Sequence, residues 1–282
     1  MFIIDKESYT NFPFDCEIPG ETIIDEVIVT GTHSAGKTTL LNDYGTQTDL
    51  LEEVAYYKIP AGFTANYENI RGVTVPVVIA PEAAAYYAER VAKNNRTVTD
   101  QYTIENQIGI ESIAKRLIVQ ANVIAAHLSH RLQPNIRRPH AIVVSDRSQL
   151  DGHVYSAVRL PDAEQELIDI AEVAQSTGGK TPHNYSGHPI PYRQRARANA
   201  ADSFSIAFIA EHSEIPFKAS GLRLDDSQFR DQVAHAMAAY YKAILGEHRV
   251  VTLTGNRTER LDTFSAHLRT LARYMIVSEL RS

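Results

Sequence analysis

The run Gly31-Thr32-His33-Ser34-Ala35-Gly36-Lys37-Thr38 constrains this chain more than any other stretch. Its spacing is G-x-x-x-x-G-K-[ST], a pattern that functions as a loop between a strand and a helix. The flanks supply both. Upstream, Ile23-Ile24-Asp25-Glu26-Val27-Ile28-Val29-Thr30 is rich in β-branched residues and stops against Gly31. Downstream, Thr38-Thr39-Leu40-Leu41 opens a helix. In such a loop the backbone N–H groups turn inward at a helix N-terminus and surround phosphate oxygens. This places Gly31, His33, Ser34, Ala35, Gly36, Lys37, Thr38 and Thr39 around a nucleotide. Lys37 is set to reach the β- and γ-phosphates, and the Thr38 hydroxyl to ligate Mg²⁺. His33 stands at a position the motif leaves variable.

Apolar runs and helical periods then alternate along the chain. Strands are expected at 23–30, 50–55, 141–146, 204–210 and 249–254. Residues 57–80 contain Pro60, Gly62, Gly72 and Pro76 and read mostly as loop, with 73–80 extended at most. Helices are expected from Lys37 to about Tyr44 and from Pro81 to about Asn94. A long one covers about 103–132, and others cover 161–175, 226–245 and 261–279. In the long helix Ile110, Ile113, Leu117, Ala121, Ile124 and Leu128 recur at three- and four-residue steps. In the helix over 226–245 the matching set is Phe229, Val233, Met237, Tyr240 and Ile244. The expectation is a P-loop NTPase fold: a three-layer α/β/α sandwich, with a five-stranded, mainly parallel sheet and a lid. Residues 1–22 form an irregular arm or a short added strand. Residues 23–282 form a single domain carrying an inserted segment at about 160–200. Six Gly and Pro residues between 178 and 191, and the absence of a helical or strand period, make 176–197 the expected mobile part.

Composition narrows the partners. The formal net charge is −6 and the apolar fraction 44%, which fills a normal core and does not suggest a strongly basic nucleic-acid surface. Arg193, Arg195 and Arg197 still form a local basic strip, so a nucleic-acid hydroxyl stays open as an acceptor. Cys16 is the single cysteine, which rules out an intramolecular disulfide and suits a cytoplasmic protein. The first 20 residues lack a basic start followed by an apolar run, so they do not read as a secretory signal. No apolar stretch is long enough to span a bilayer. The histidines, His183 and His188 included, show no zinc-site spacing.

The candidate site residues lie where α/β folds place chemistry, at strand ends and the helices that follow. Asp146 closes the buried run 141–146, and Arg147-Ser148 follows at once. Asp146 there can hold Mg²⁺ directly or through water, and Arg147 can contact the phosphoryl donor or the acceptor hydroxyl. The plainer alternative is a helix-capping Asp beside a solvated Arg. Asp151 and Tyr155 follow at helical spacing and either line an acceptor pocket or pack. Glu52 and Glu53 close the expected strand at 50–55, and a carboxylate there can take a proton from an acceptor hydroxyl. Neighbours on a strand face opposite sides, so only one of them turns inward. On the long helix Gln107, with Glu105 and Glu111, can read a base or sugar edge or simply face solvent. After the strand at 204–210, Gly221-Leu222-Arg223 and Arg230 suit a lid whose guanidinium groups neutralise charge during transfer.

Taken together, the P-loop, Glu53-Val54-Ala55, Ser145-Asp146-Arg147-Ser148-Gln149-Leu150-Asp151 and Gly221-Leu222-Arg223 resemble the AAA-type ATP-binding domains related to nicotinamide riboside kinases. A more distant resemblance is to deoxynucleoside kinases. The order and spacing match over about 23–275. Tyr56 stands where the nicotinamide-type motif carries Arg, and the segment 160–200 has no counterpart there. The resemblance implies Mg²⁺-ATP-dependent phosphotransfer to a hydroxyl of a nucleoside-like or other small polar acceptor. It assigns Lys37 to the donor phosphates, Thr38 and Asp146 to Mg²⁺, Glu53 to the base, and Arg147, Arg223 and Arg230 to the transferring group. Glu52, Gln107, Glu111, Asp151 and Tyr155 would face the acceptor. The rival is a nucleotide-dependent ATPase switch. The late run Thr254-Gly255-Asn256-Arg257 lacks the guanine-reading pattern, which favours ATP. A dimer fits as well as a monomer.

Overall fold

The apolar runs come together as the middle of one sheet. The computed structural model describes residues 2–3, 21–32, 35–45, 62–93, 104–159, 204–211 and 227–279. In chain order these form β1 (Phe2–Ile3), β2 (Ile23–Thr30), α1 (Lys37–Gly45), β3 (Thr64–Ile70), β4 (Val73–Ala80), α2 (Ala83–Lys93), α3 (Ile104–Leu132), β5 (His140–Asp146), α4 (Gln149–Arg159), β6 (Phe204–Ala210), α5 (Ser227–Leu245), β7 (Val250–Leu253) and α6 (Arg257–Glu279). The sheet order is β3-β4-β5-β2-β6-β7. Every pair from β4 to β7 is parallel. All seven residues of β5 are buried, as both faces of a parallel sheet must be when helices cover them.

Alternation along the strands sorts side chains into two layers. Val27, Val29, Val77, Ile79, Ile142, Val144 and Phe208 pack under α1 and α6. Ile24, Val78, Ala80, Ala141 and Val143 pack under α2 and α3, and Ile28, Ala207 and Ile209 under α4 and α5. The period-two rule thus gives the three-layer sandwich expected from the sequence. The buried face of α3 is the stripe read from its periodicity, from Ile110 to Leu128.

The strand count is the main correction. Among the described residues the sheet has seven strands, not five. Two of the additions come from 57–80, expected to be mostly loop. There β3 and β4 pair antiparallel from Thr64↔Ile79 to Ile70↔Val73. Their connection is Arg71-Gly72, with φ of 53° and 84°, a two-residue turn whose left-handed residues match the twist of a hairpin. Gly72 therefore closes the hairpin rather than breaking a strand. Pro76 lies one residue before β4 starts to pair with β5 at Val77. The third addition is β1, which meets only Ile23 and Ile24 of β2. β6 joins β2 from Glu26 onward, so β1 fills the edge that β6 leaves open. The expected strand at 50–55, the helix at 161–175 and the insert at about 160–200 lie outside the described residues.

Two helices differ from expectation in detail. α5 buries Tyr241 and Leu245 at steps of four after Phe229, Val233 and Met237, whereas Tyr240 and Ile244 pack half-buried beside them. α6 starts at Arg257 rather than 261 because Asn256 caps it. The Asn256 Oδ1 accepts from the N–H groups of Thr258 and Glu259 at 2.9 and 3.2 Å, and Glu259 Oε2 accepts from Asn256 N–H at 2.8 Å. This is a capping box. Among the described residues no helix is long and apolar enough to cross a membrane.

Candidate active site

Three strand ends converge at the C-terminal edge of the sheet, where parallel α/β folds open a crevice. β2 delivers the P-loop. Gly31 has φ 132°, and a Cβ on it would stand 2.6 Å from Ala210 O at the end of β6. Only glycine allows the loop to leave the sheet this closely. At the far end of the loop Lys37 opens α1 and is almost fully buried. Its Nζ donates to Gly31 O at 3.0 Å and Thr32 O at 2.7 Å. Burial, and then the charge of Arg147, lower its pKa to about 8, against the pull of Asp146, Glu82 and Asp151. The ammonium is therefore still charged at neutral pH.

β5 delivers Asp146. Its Oδ2 accepts from Thr38 Oγ1 at 2.9 Å. Burial, then the nearby carboxylate of Glu82, raise the Asp146 pKa to about 6. The other oxygen, Oδ1, is buried with no hydrogen-bond partner among the described residues. A buried, unsatisfied carboxylate oxygen beside a P-loop hydroxyl fits a hard cation, whose charge would keep the acid ionised. No group of three or more acidic, histidine or cysteine side chains among the described residues could hold a metal alone. Mg²⁺ does not require one, because it keeps waters and takes phosphate oxygens beside one or two protein ligands.

β4 delivers Glu82, two residues past its end. The Glu82 carboxylate lies 3.5 Å from Arg147 Nη2, and its Oε2 lies 3.4 Å from Thr38 Oγ1. Arg147 is buried and has φ 80°, a left-handed backbone that costs a non-glycine residue about 1–2 kcal/mol. Its N–H donates to Val29 O at 3.0 Å, and its guanidinium lies 5.4 Å over the Tyr155 ring. Cation and ring attract in this geometry. Among the described residues, Lys37 and Arg147 lie near the carboxyl groups of Glu82, Asp146 and Asp151.

A pocket of about 340 Å³ opens on the other side of the P-loop, between Gly36, Thr39 and Leu40 and the segment Gly255, Asn256, Arg257 and Arg260. Its walls are held by their own contacts. Arg260 Nε donates to Gly255 O at 2.7 Å and Nη1 to Ala35 O at 3.1 Å, and Arg257 pairs with Asp43. The space adjoins the phosphate loop and has an apolar floor at Leu40.

A scan of protein-family profiles and a search of curated proteins return no match. Among solved structures, the chain is similar to the NadR protein in complex with NAD and AMP-PNP, at 16% identity and a TM-score of 0.47, over 88% of this chain and 50% of that one. It is also similar to deoxyadenosine kinase from M. mycoides, at 12% identity and a TM-score of 0.43, over 87% of this chain and 99% of that one. Thymidylate kinase from Ehrlichia chaffeensis is similar at 14% identity and a TM-score of 0.41, over 86% and 98%. The likeness is one of fold. The chain spans about half the length of the NadR structures it matches.

Of the residues expected from the sequence, Gly31, Ala35, Gly36, Lys37, Thr38 and Thr39 form the loop and the start of α1, with Asp146 and Arg147 beside them. Tyr155 is fully buried under Arg147 and packs on Phe229 at a ring distance of 6.3 Å. Arg230 is buried in the first turn of α5. Burial lowers its pKa, and Asp231 and Tyr155 act in the opposite sense. Asp151, expected either to line an acceptor pocket or to pack, has both oxygens in internal hydrogen bonds, from Thr30 and Tyr241. Gln107 and Glu111 lie on α3, their side chains outside the description. His33, Ser34, Glu52, Glu53 and Arg223 lie outside the described residues. The sequence reading missed Glu82 as a site residue, although a signal was present. Glu82 follows the apolar run 73–80 much as Asp146 ends the run 140–146. Pro81 drew attention to the helix start instead.

Proposed function

We propose that this chain is a Mg²⁺- and ATP-dependent phosphotransferase acting on a hydroxyl of a nucleoside-like small molecule. The observation that carries the reading is the convergence of Glu82, Asp146 and Arg147 on Thr38 of the P-loop. A P-loop alone would serve any nucleotide-binding protein. A carboxylate held at its phosphate end by an arginine adds what a transfer to a hydroxyl requires. The pocket at Gly255 and Asn256 takes the ATP base. The loop amides and Lys37 hold the phosphates. Thr38 and Asp146 would hold Mg²⁺, which when bound offsets charge on the phosphate oxygens. Glu82 accepts the proton of the acceptor hydroxyl or orients it, in the role first assigned to Glu53. Arg147 stabilises charge on the group in transfer, and Arg230 and Arg223 remain assigned to the same task. Positioning and electrostatics would supply the catalysis.

The acceptor would lie between the start of α3, with Gln107 and Glu111, and the start of α4. The lone Cys16 suits work in the cytoplasm. The decisive experiment incubates the protein with labelled ATP and panels of nucleosides, sugars and oligonucleotides. Label transferred to a nucleoside supports the reading. Label released only as free phosphate would favour the ATPase switch, and transfer to oligonucleotides would move the acceptor class to nucleic acid.

A further inference from the structure

The Asp151 carboxylate is 2% exposed, yet it faces hydroxyl groups from three different elements. Its Oδ2 accepts from Thr30 Oγ1 at 2.7 Å, and its Oδ1 accepts from Tyr241 OH at 2.6 Å. Ser148 Oγ lies 2.5 Å from Tyr241 OH and 3.5 Å from Asp151 Oδ1. Thr30 is the last residue of β2, directly before the P-loop. Ser148 directly follows Arg147. Tyr241 comes from the C-terminal part of α5. A buried carboxylate costs more than an apolar side chain of similar size when packing is the only requirement. α4 and α5 already meet through Val154, Tyr155, Phe229 and Val233. The polar cluster therefore serves something other than helix packing.

Its position shows what that is. Arg147 keeps a left-handed backbone, a conformation that persists in a non-glycine residue only when its surroundings over-determine it. On one side its N–H is tied to Val29 O. On the other, Ser148 is tied to Tyr241, whose hydroxyl is anchored on Asp151, which is anchored on Thr30. The arginine is clamped from both ends to the strand that carries the P-loop. We propose that the buried Thr30–Asp151–Tyr241–Ser148 cluster is a positioning clamp that holds Arg147 in its left-handed conformation, and that Tyr241 is a positioning residue for phosphoryl transfer. The clamp itself follows from the geometry. Its effect on turnover rests on the phosphotransferase reading through Arg147.

The test uses Tyr241→Phe, which removes one hydroxyl and keeps the ring. In spectra of the full ¹⁵N-labelled chain, the Arg147 Nε–H resonance is identified by its loss in Arg147→Lys. We expect it to shift or broaden in Tyr241→Phe, while that of Arg260 on the opposite sheet face stays in place. An unmoved Arg147 resonance overturns the clamp, and this readout needs no turnover. ATP turnover is then counted whether an acceptor or water receives the phosphoryl group. We expect Tyr241→Phe to lose about tenfold in turnover, with MgATP affinity within about twofold of wild type. In an Arg147→Lys background the same change should add less than about twofold, because coupled residues are not additive. Equal losses in both backgrounds, or wild-type turnover in Tyr241→Phe, overturn the positioning role. Asp151→Asn repeats the comparison from the other end of the cluster, with the same outcomes decisive. A wild-type protein that makes no phosphorylated acceptor would count against the kinase reading alone.

Discussion

The pocket beside α6 and the cluster around Arg147 flank the same P-loop and are built differently. Around the pocket, Arg260 and Arg257 are tied to Gly255, Ala35 and Asp43, and Asn256 and Glu259 cap α6. Polar side chains there rigidify the wall. Around Arg147, the Glu82 carboxylate faces the guanidinium, Asp146 accepts from Thr38, and Asp146 Oδ1 has no hydrogen-bond partner among the described residues. Under the proposed phosphotransfer, polar side chains there face the reaction. The difference fits a division of labour in which one side holds a nucleotide by shape and the other handles moving charge. A rigid backbone pocket costs little to preorganise, whereas moving charge needs side chains whose pKa values burial can shift.

If this division is right, changes near Arg147 act on rate and changes near the pocket on affinity. The largest effect is expected at the shared residue. Lys37→Ala should lower turnover by at least about 10³-fold while circular dichroism shows the fold retained, with only a modest fall in melting temperature from the two loop hydrogen bonds that Nζ gives up. Near-normal turnover would remove the P-loop from the donor site.

Glu82→Gln sharpens the comparison most. It should lower kcat by about 10²–10³-fold and leave KM for ATP within about threefold. Glu53→Gln, measured alongside, should change kcat little. The reverse ranking would return the base to Glu53. Asp146→Asn is expected to fall below these in size. A neutral amide is a poor ligand for a hard cation, so the Mg²⁺ concentration for half-maximal activity should rise about tenfold or more. An unchanged Mg²⁺ titration would make Asp146 a structural partner of Thr38.

On the pocket side, Asn256→Ala should cost about 1 kcal/mol of stability through the lost cap. It should weaken ATP binding with kcat nearly unchanged, as calorimetry and steady-state kinetics can separate. A fall in kcat without loss of affinity would break the division of labour. The smallest effect on activity belongs to neither side. Glu26 in β2 is buried against Asn122 of α3, and burial raises its pKa from 4.5 to about 7. The folded state therefore binds the proton more tightly than the unfolded chain does. This group's contribution to stability is fully present below about pH 4.5 and is lost as the pH rises through about 7. Glu26→Gln should flatten that fall and raise stability at pH 8 by about 1–3 kcal/mol, measured by urea unfolding across the pH range. A wild-type pH slope in the variant would show that Glu26 ionises normally in the folded chain.

Local pattern was enough for the parts whose chemistry is local. The P-loop is contiguous, so its spacing names its task. The burial of 141–146 and the stripe of α3 follow from unbroken or periodic apolar residues, and each placed its element correctly. The position of Asp146 and Arg147 at a strand end was legible because Asp146 closes a buried apolar run and Arg147 follows it. Tertiary structure alone decided the rest. Which strand lies beside β5, and so which carboxylate reaches Thr38, depends on sheet order, and sheet order is set by pairing between segments far apart in the chain. That pairing put Glu82 beside the loop, 44 residues from Thr38. It also turned Asp151 inward, because Tyr241, 90 residues away, supplies a hydroxyl at a helical step the periodic stripe did not single out. A one-dimensional pattern records which faces are apolar. It does not record which partner a polar group will meet, and in this protein the partners determine the site.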